Sequence, residues 1–378
     1  VDVAEKARAS LPFMQRGLAE RLICLHDEIR GDSSLTPLSR IAVALYDDST
    51  DLLKTFIHSS EGDSPLAHID ARLSDMPTLQ QLAWTGARRT INDMSALAAA
   101  GQEHAAKLVA NGYMSSHTVP IQHKGSFYGF LFFNSFQPNF FVAPVLARLR
   151  PYTDLIAMVV MRELDTVRMM QAAVRVIRSV SSARDEETGS HLARMARYAR
   201  VVADKLAPKH GLSDEFVEYV FQFAPLHDVG KVSVPDAILL KPGRLNEEEF
   251  EVMRTHVDKG VEIVDLMMRD FGLKALPHFD LLRNIVAYHH EALDGSGYPH
   301  KLEGDAIPIE ARIAAVADVF DALTSQRPYK KPWTNEEALA LLQSQAGTKF
   351  DPDCVAVMAE NMDAIADIQS RFHETVFD

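Results

Sequence analysis

Cysteine is almost missing from this chain: two residues in 378, Cys24 and Cys354, far apart and in no metal-ligand spacing. That excludes a disulfide framework and a thiolate metal site, and points to two buried thiols in a reducing, cytoplasmic compartment. Positive charge is also short. Lys and Arg number 39 against 52 Asp and Glu, a net charge of −13, which argues against polymeric nucleic acid or an anionic membrane surface as partner. No apolar run approaches the ~20 residues a membrane helix needs. The best, Leu155 to Met161, stops at Arg162 and Glu163, so no membrane span is expected. No charged-then-apolar leader follows Val1, and no secretion signal is expected. Internal repeats and low-complexity tracts are absent.

What is present fits two domains by length. Residues 1–35 read as a helical segment, with Leu11, Phe13, Met14, Leu18, Leu22 and Ile23 at roughly helical spacing. Residues 36–145 mix strands and helices. Ile41 to Tyr46 and Leu53 to Ser59 read as a strand pair around Asp47-Asp48-Ser49, Ser74 to Thr85 as a capped helix, and His117 to Gln122 and Ser126 to Ser135 as strands joined at His123-Lys124-Gly125. From about Phe140 to Ser182 breakers are few, and a linker helix is expected over 146–182. Two readings fit it: packing on its own domain, or pairing with a second copy to make a homodimer. Residues 183–378 read as nearly all helical, punctuated at Pro208 to Gly211, Lys241-Pro242-Gly243, Asp294 to Pro299 and Gly347 to Pro352.

The chemistry is concentrated in this last stretch. Glu187 and His191 are four apart and share a face if helical. His227-Asp228 precede Gly230 and Lys231; His256 stands alone; His289 and His290 are adjacent; Asp318 sits in the apolar helix Ile313 to Leu323. Singly, each is more often a surface or core polar residue than a ligand. Their flanks change the balance. Phe221, Phe223 and Leu226 precede His227-Asp228, Ile285 to Tyr288 precede the histidine pair, and Val316, Ala317, Val319 and Phe320 bracket Asp318. Helices that bury such flanks bury the polar groups with them, and buried charges need partners or metals. Five histidines and three carboxylates without a thiol suit iron, manganese or zinc.

The order of these motifs resembles one family. Arg184 to His191, His227-Asp228-Val229-Gly230-Lys231, His289-His290-Glu291 through Gly297-Tyr298-Pro299, and Ala311-Arg312-Ile313 through Asp318 to Arg327-Pro328-Tyr329 are similar, in sequence, to the signatures of HD-GYP domains. The resemblance covers about half the chain. Val257 after His256 departs from the proline common there, and Lys241 from a smaller or polar residue. The front half, by order of elements alone, resembles a GAF-type sensory domain. The fold class expected is therefore an α+β GAF-like domain joined by a long helix to an all-α HD-GYP domain.

That resemblance implies a cyclic dinucleotide phosphodiesterase. Asp228 would bridge two divalent cations, with His227 and Asp318 on one and His256, His289 and His290 on the other; Glu187 and His191 are the positions that add a third in members holding three. Two or three metal ions are thus expected, iron first and manganese next. Two cations supply a hydroxide nucleophile from bridging water and offset charge on the phosphate. This local positive charge reconciles an acidic chain with an anionic substrate. Lys231 is expected at the scissile phosphate or in a salt bridge to a ligand carboxylate. Arg327 and Lys330 are expected as contacts to guanine or phosphate. The loop Asp294 to Pro299 is expected to be a rigid turn presenting the histidine pair, and a platform for a partner protein.

Cyclic di-GMP, opened to linear pGpG and onward to GMP, is the expected substrate. Cyclic GMP-AMP, or a weakly active receptor or adaptor role, are the alternatives. A receptor has no need of eight ligands, and turnover on added metal separates the two. A general HD-superfamily nucleotide hydrolase is a third reading, against which the adjacent histidines and the GYP loop speak. No haem or chromophore attachment motif is seen in the front domain, where sensing and scaffolding are both open.

Overall fold

The computed structural model describes residues 12–13, 16–61, 70–99, 103–180, 189–270, 279–326 and 331–373. Glu187, Arg327 and Lys330 lie outside them, as do Leu11 and Met14. The chain divides into two compact units between Thr166 and Val167. Among the described residues no helix is long and apolar enough to cross a membrane.

The first unit is built on an antiparallel sheet of six strands: β1 (Leu38–Asp47), β2 (Leu52–Ser60), β3 (Asp70–Arg72), β4 (Arg89–Ile91), β5 (Ser115–His123) and β6 (Ser126–Ser135), in the order β3-β2-β1-β6-β5-β4. Central β1 is buried through Leu45 on both faces. β5 and β6 turn at Lys124-Gly125, both at positive φ, the backbone that a two-residue hairpin requires. Gly129 at φ +146 lets β6 approach Ala44 of β1, where a Cβ would overlap main chain. Helix α1 (Leu18–Gly31) buries Leu18, Leu22, Leu25 and Ile29, one stripe at helical spacing. Ile23, within the same helix, lies off that stripe and is half-exposed. Helix α2 (Pro77–Thr85) closes a cluster of Ala44, Leu53, Leu73, Leu79, Leu82 and Phe130. It begins at Pro77 rather than Ser74: proline fits the first helical position, while Ser74 sits in a short 3₁₀ turn and gives its N–H to Asp51. Helices α3 (Met94–Ala99) and α4 (Glu103–Ala110) follow β4. The three-residue strands β3 and β4 are too short to leave an alternation in the sequence.

Helix α5 (Ala143–Val180) runs 38 residues with Pro151 inside. Near its middle Glu163 pairs with Arg21 of α1 at 2.7 Å, both buried, and Asp165 accepts from Tyr128 Oη at 2.7 Å.

The second unit is helical. Its core helix α6 (Gly189–His210) packs against α7 (Asp214–Phe223) and, later in the chain, α12 (Ile309–Thr324) and α14 (Pro352–Glu360). Pro208 falls inside the last turn of α6, and Gly211 at φ +64 ends the helix. Between lie α8 (Asp236–Leu239), α9 (Glu247–Arg254), α10 (His256–Asp270) and α11 (Phe279–Tyr288); α13 (Asn335–Ser344) and α15 (Met362–Arg371) complete the unit. The core is Tyr198, Val202, Val220, Phe223, Ile285, Ile313, Val316 and Phe320, all essentially inaccessible.

Candidate metal centre

Polar side chains enter this apolar core at five places. Phe223 of α7 leads into a 3₁₀ turn, Ala224–Leu226, that ends at His227; a second turn, Val229–Ser233, follows Asp228. Two tight turns in succession put adjacent His227 and Asp228 side chains inward. Gly230 packs against Gly260 of α10, where a Cβ on Gly230 would overlap main chain of His256 and Gly260, so this turn and the start of α10 with His256 come into contact. His289 and His290 leave the end of α11; Asp318 projects from the middle of α12, and His191 stands in the first turn of α6.

These residues form two groups. Asp228, His256, His289 and His290 have donor atoms within 4.8 Å of one another, and so do His191, His227 and Asp318. The groups adjoin. Asp228 Oδ1 is 3.0 Å from His256 Nε2 and 3.6 Å from His289 Nε2, its Oδ2 is 3.1 Å from His227 Nε2, and Asp318 Oδ1 is 3.7 and 3.8 Å from the Nε2 atoms of His191 and His227. The sequence-based partition set His191 apart with Glu187; here His191 stands with His227 and Asp318.

The imidazoles share one polarity. His227 Nδ1 donates to the Ala224 carbonyl at 2.9 Å, His256 Nδ1 to Met253 at 2.7 Å, and His289 Nδ1 to Ile285 and Val286 at 3.0 and 3.1 Å. A carbonyl only accepts, so each Nδ1 carries hydrogen. His191 Nδ1 is held likewise by the Asp321 carboxylate at 2.8 Å. Every Nε2 is thereby turned toward Asp228 or Asp318. Buried Nε2 of His256 and His289 and Oδ1 of Asp228 find no hydrogen-bond partner of good geometry. Burial pushes the pKa of His289 down, and burial with the neighbouring His289 pushes that of His290 well down. Such rings stay neutral and keep their lone pairs. Burial would raise the Asp228 carboxyl, but Lys231 and His227 beside it hold it well below the usual carboxylate range. Imidazoles anchored through Nδ1, with Nε2 atoms orphaned around an ionised carboxylate, make a donor set that fits divalent cations.

Outer residues fix this set, and sequence reasoning missed most of them. Asp321, fully buried, accepts from His191, from Arg194 Nε at 2.7 Å and Nη2 at 2.9 Å, and from Ser325 Oγ at 2.8 Å. Its signal was its place three residues after Asp318 on one helix face. Buried Glu291 accepts the N–H groups of His300 and Leu302 at 2.7 and 3.0 Å, tying the loop after the histidine pair. In that loop Tyr298 stacks on His290, centroids 4.7 Å apart, and Arg254 lies over the Tyr298 ring. Lys231 reaches Asp228 Oδ2 at 2.6 Å with its side chain one-fifth exposed; both expected placements remain compatible with that contact.

Comparison with known proteins bears on this region. Residues 182–354 match the family model described as HD domain. Over 188 residues the chain is 43% identical to the 3'3'-cGAMP-specific phosphodiesterase 2 of Vibrio cholerae, covering 50% of this chain and 34% of the relative. Over 212 residues it is 43% identical to a cyclic di-GMP phosphodiesterase response regulator of Xanthomonas campestris pv. campestris, covering 56% and 51%. The chain thus spans a third to a half of these relatives. A GAF domain from an Acinetobacter phosphoenolpyruvate-protein phosphotransferase overlays 42% of this chain and 87% of its own, at 14% identity and a TM-score of 0.30.

Proposed function

We propose, from the HD domain that the chain carries over residues 182–354, that it is a metal-dependent phosphodiesterase opening cyclic di-GMP to linear pGpG and then to GMP. One observation carries the reading: five imidazoles converge on Asp228 and Asp318 in two adjoining buried groups. The relatives matching this stretch include several named as cyclic di-GMP phosphodiesterases.

His256, His289 and His290 with Asp228 would hold one cation, and His191, His227 and Asp318 with Asp228 another, Glu187 adding to the latter or to a third. Iron is the metal we propose first and manganese next. Bound cations supply Lewis acidity toward phosphate and water. The chain supplies the rest. The carbonyls of Ala224, Met253 and Ile285 and the Asp321 carboxylate fix the imidazole tautomers before substrate arrives. Lys231, anchored on Asp228, offers a positive charge at the rim for the phosphate or the departing oxygen. Arg327 and Lys330 are proposed as contacts to guanine or phosphate. The front unit is proposed as the regulatory element, α5 as the seam of a cytoplasmic homodimer, and the loop Asp294 to Pro299 as a docking place for a protein partner.

Anaerobically purified chain, loaded with iron or manganese and given cyclic di-GMP, is expected to release linear pGpG or GMP. The double variant His227→Ala, Asp228→Ala is expected to be inactive; full turnover in that variant sinks the assignment. Preference for cyclic GMP-AMP in the same assay would move the substrate, as the naming of the Vibrio cholerae relative would then have anticipated. Metal loading without any product would favour a receptor.

A further inference from the structure

A cavity of about 490 Å³ opens in the first unit between β4, β5 and the start of α5, within the size range of small-molecule sites, about 300–1,000 Å³. Its lining combines charge with apolar surface. Arg88, Thr90, His117, Arg150 and Thr153 supply the polar groups; Leu146, Leu149 and the first turn of α5 at Ala143 supply the rest. His117 is the informative residue. It is 5% exposed, its Nδ1 lies 2.8 Å from Thr90 Oγ1, and its ring packs between Phe133 and Phe141. Among the described residues its ring makes one hydrogen bond, through Nδ1, and the residue lines the cavity. Arg150 makes no ion pair or hydrogen bond among them, while Arg88 gives one nitrogen to Asp154 at 3.2 Å. The N-terminal end of a long helix adds positive potential at the same wall.

We propose that this cavity is a binding site for a small organic anion, a carboxylate on an apolar body. The carboxylate sits between Arg150 and the His117 Nε2–H, with Arg88 at the rim; the body lies on Leu146 and Leu149. Thr90 donates its hydroxyl hydrogen to His117 Nδ1, which sets the proton on Nε2. The imidazole is neutral when the cavity is free, because burial and then the Arg88 charge depress its pKa to about 4. A carboxylate accepts from a neutral N–H as well as from a guanidinium. The site is independent of the metal centre and gives the first unit something to sense.

Calorimetric titration of the full chain with benzoate tests this, with benzamide as the uncharged analogue of the same shape. Benzoate is expected to bind and benzamide to bind at least about tenfold more weakly, since a charge-assisted contact is lost. Arg150 is exposed, so Arg150→Glu should fold, as circular dichroism can verify, and it is expected to abolish benzoate binding. Arg88→Gln is expected to weaken it by a smaller factor. No benzoate heat, equal binding of benzamide, or undiminished binding in Arg150→Glu would each overturn the proposal; the last outcome would place the carboxylate elsewhere in the protein.

Discussion

His191 Nδ1 and Asp321 Oδ2 stand 2.8 Å apart in the core, and the same carboxylate holds Arg194 through two nitrogens. The ring is thus set before any cation arrives: its proton is on Nδ1 and its lone pair faces Asp318. Carboxylate-to-imidazole contacts of this kind are worth about 10–100-fold in metal affinity. Asp321→Asn preserves shape but offers one acceptor in place of two. It is expected to weaken metal binding by that factor, read by metal competition with a chelator, with a smaller loss of stability. Asp321→Ala takes the carboxylate away from the buried Arg194 guanidinium, and is expected to cost about 3–5 kcal/mol in unfolding free energy. Unchanged metal affinity in Asp321→Asn would show that His191 is not a ligand.

Gly230 meets Gly260 where a Cβ on either would overlap neighbouring atoms, the His256 carbonyl oxygen included. The contact joins the turn carrying Asp228 to the helix carrying His256. Gly230→Ala is expected to cost about 3 kcal/mol, as overpacking against backbone does, and to lower metal stoichiometry at any temperature where the chain stays folded. Thermal unfolding with and without manganese measures both. An alanine variant with normal melting and full metal content would mean the two elements separate without harm.

Lys231 ties to the ionised Asp228 at 2.6 Å, yet one-fifth of its side chain remains accessible. If it acts on the phosphate, Lys231→Met keeps bound metal while kcat falls by about a hundredfold, the general range for one lost charge stabiliser. If it serves only Asp228, metal affinity falls and kcat at saturating metal recovers. Steady-state kinetics across a metal titration separates the two; the first outcome is the one expected.

How much of this was legible beforehand follows from what leaves a local trace. Short strand-like runs set off by turn residues announced β1, β2, β5 and β6, and the apolar flanks of His227, His289 and Asp318 announced that these polar groups are buried. The long helix could be read from its lack of breakers. Strands β3 and β4 have three residues each and leave no period. The grouping of His191 with Asp318 depends on α6 packing against α12, a tertiary fact that spacing does not encode. The Nδ1 anchors of His227, His256 and His289 are main-chain carbonyls, which any sequence supplies. Asp321 was quoted within a motif but given no role, because only the fold shows that its face meets both His191 and Arg194. The cavity around His117 had no signal at all: Arg88, His117 and Arg150 are far apart in sequence and meet only where β4, β5 and α5 do.

His117 should also govern how the first unit responds to acid. Burial, followed by the Arg88 charge, depresses its pKa from 6.5 to about 4. The unfolded chain takes up a proton near pH 6.5 while the folded one resists until about pH 4, so between those values the unfolded state binds more protons. Stability from this residue is complete above pH 6.5, declines as pH falls, and levels off near pH 4. The total is on the order of 3 kcal/mol. Urea midpoints measured at intervals from pH 7 to pH 4 should therefore fall more steeply for the native chain than for His117→Phe, whose ring fits between Phe133 and Phe141 but does not titrate. The variant loses the Thr90 hydrogen bond, so its midpoint at pH 7 is expected to be lower; the diagnostic quantity is the slope. Equal slopes would mean that His117 takes up its proton at the same pH in the folded and the unfolded chain, so that burial does not hold the ring neutral.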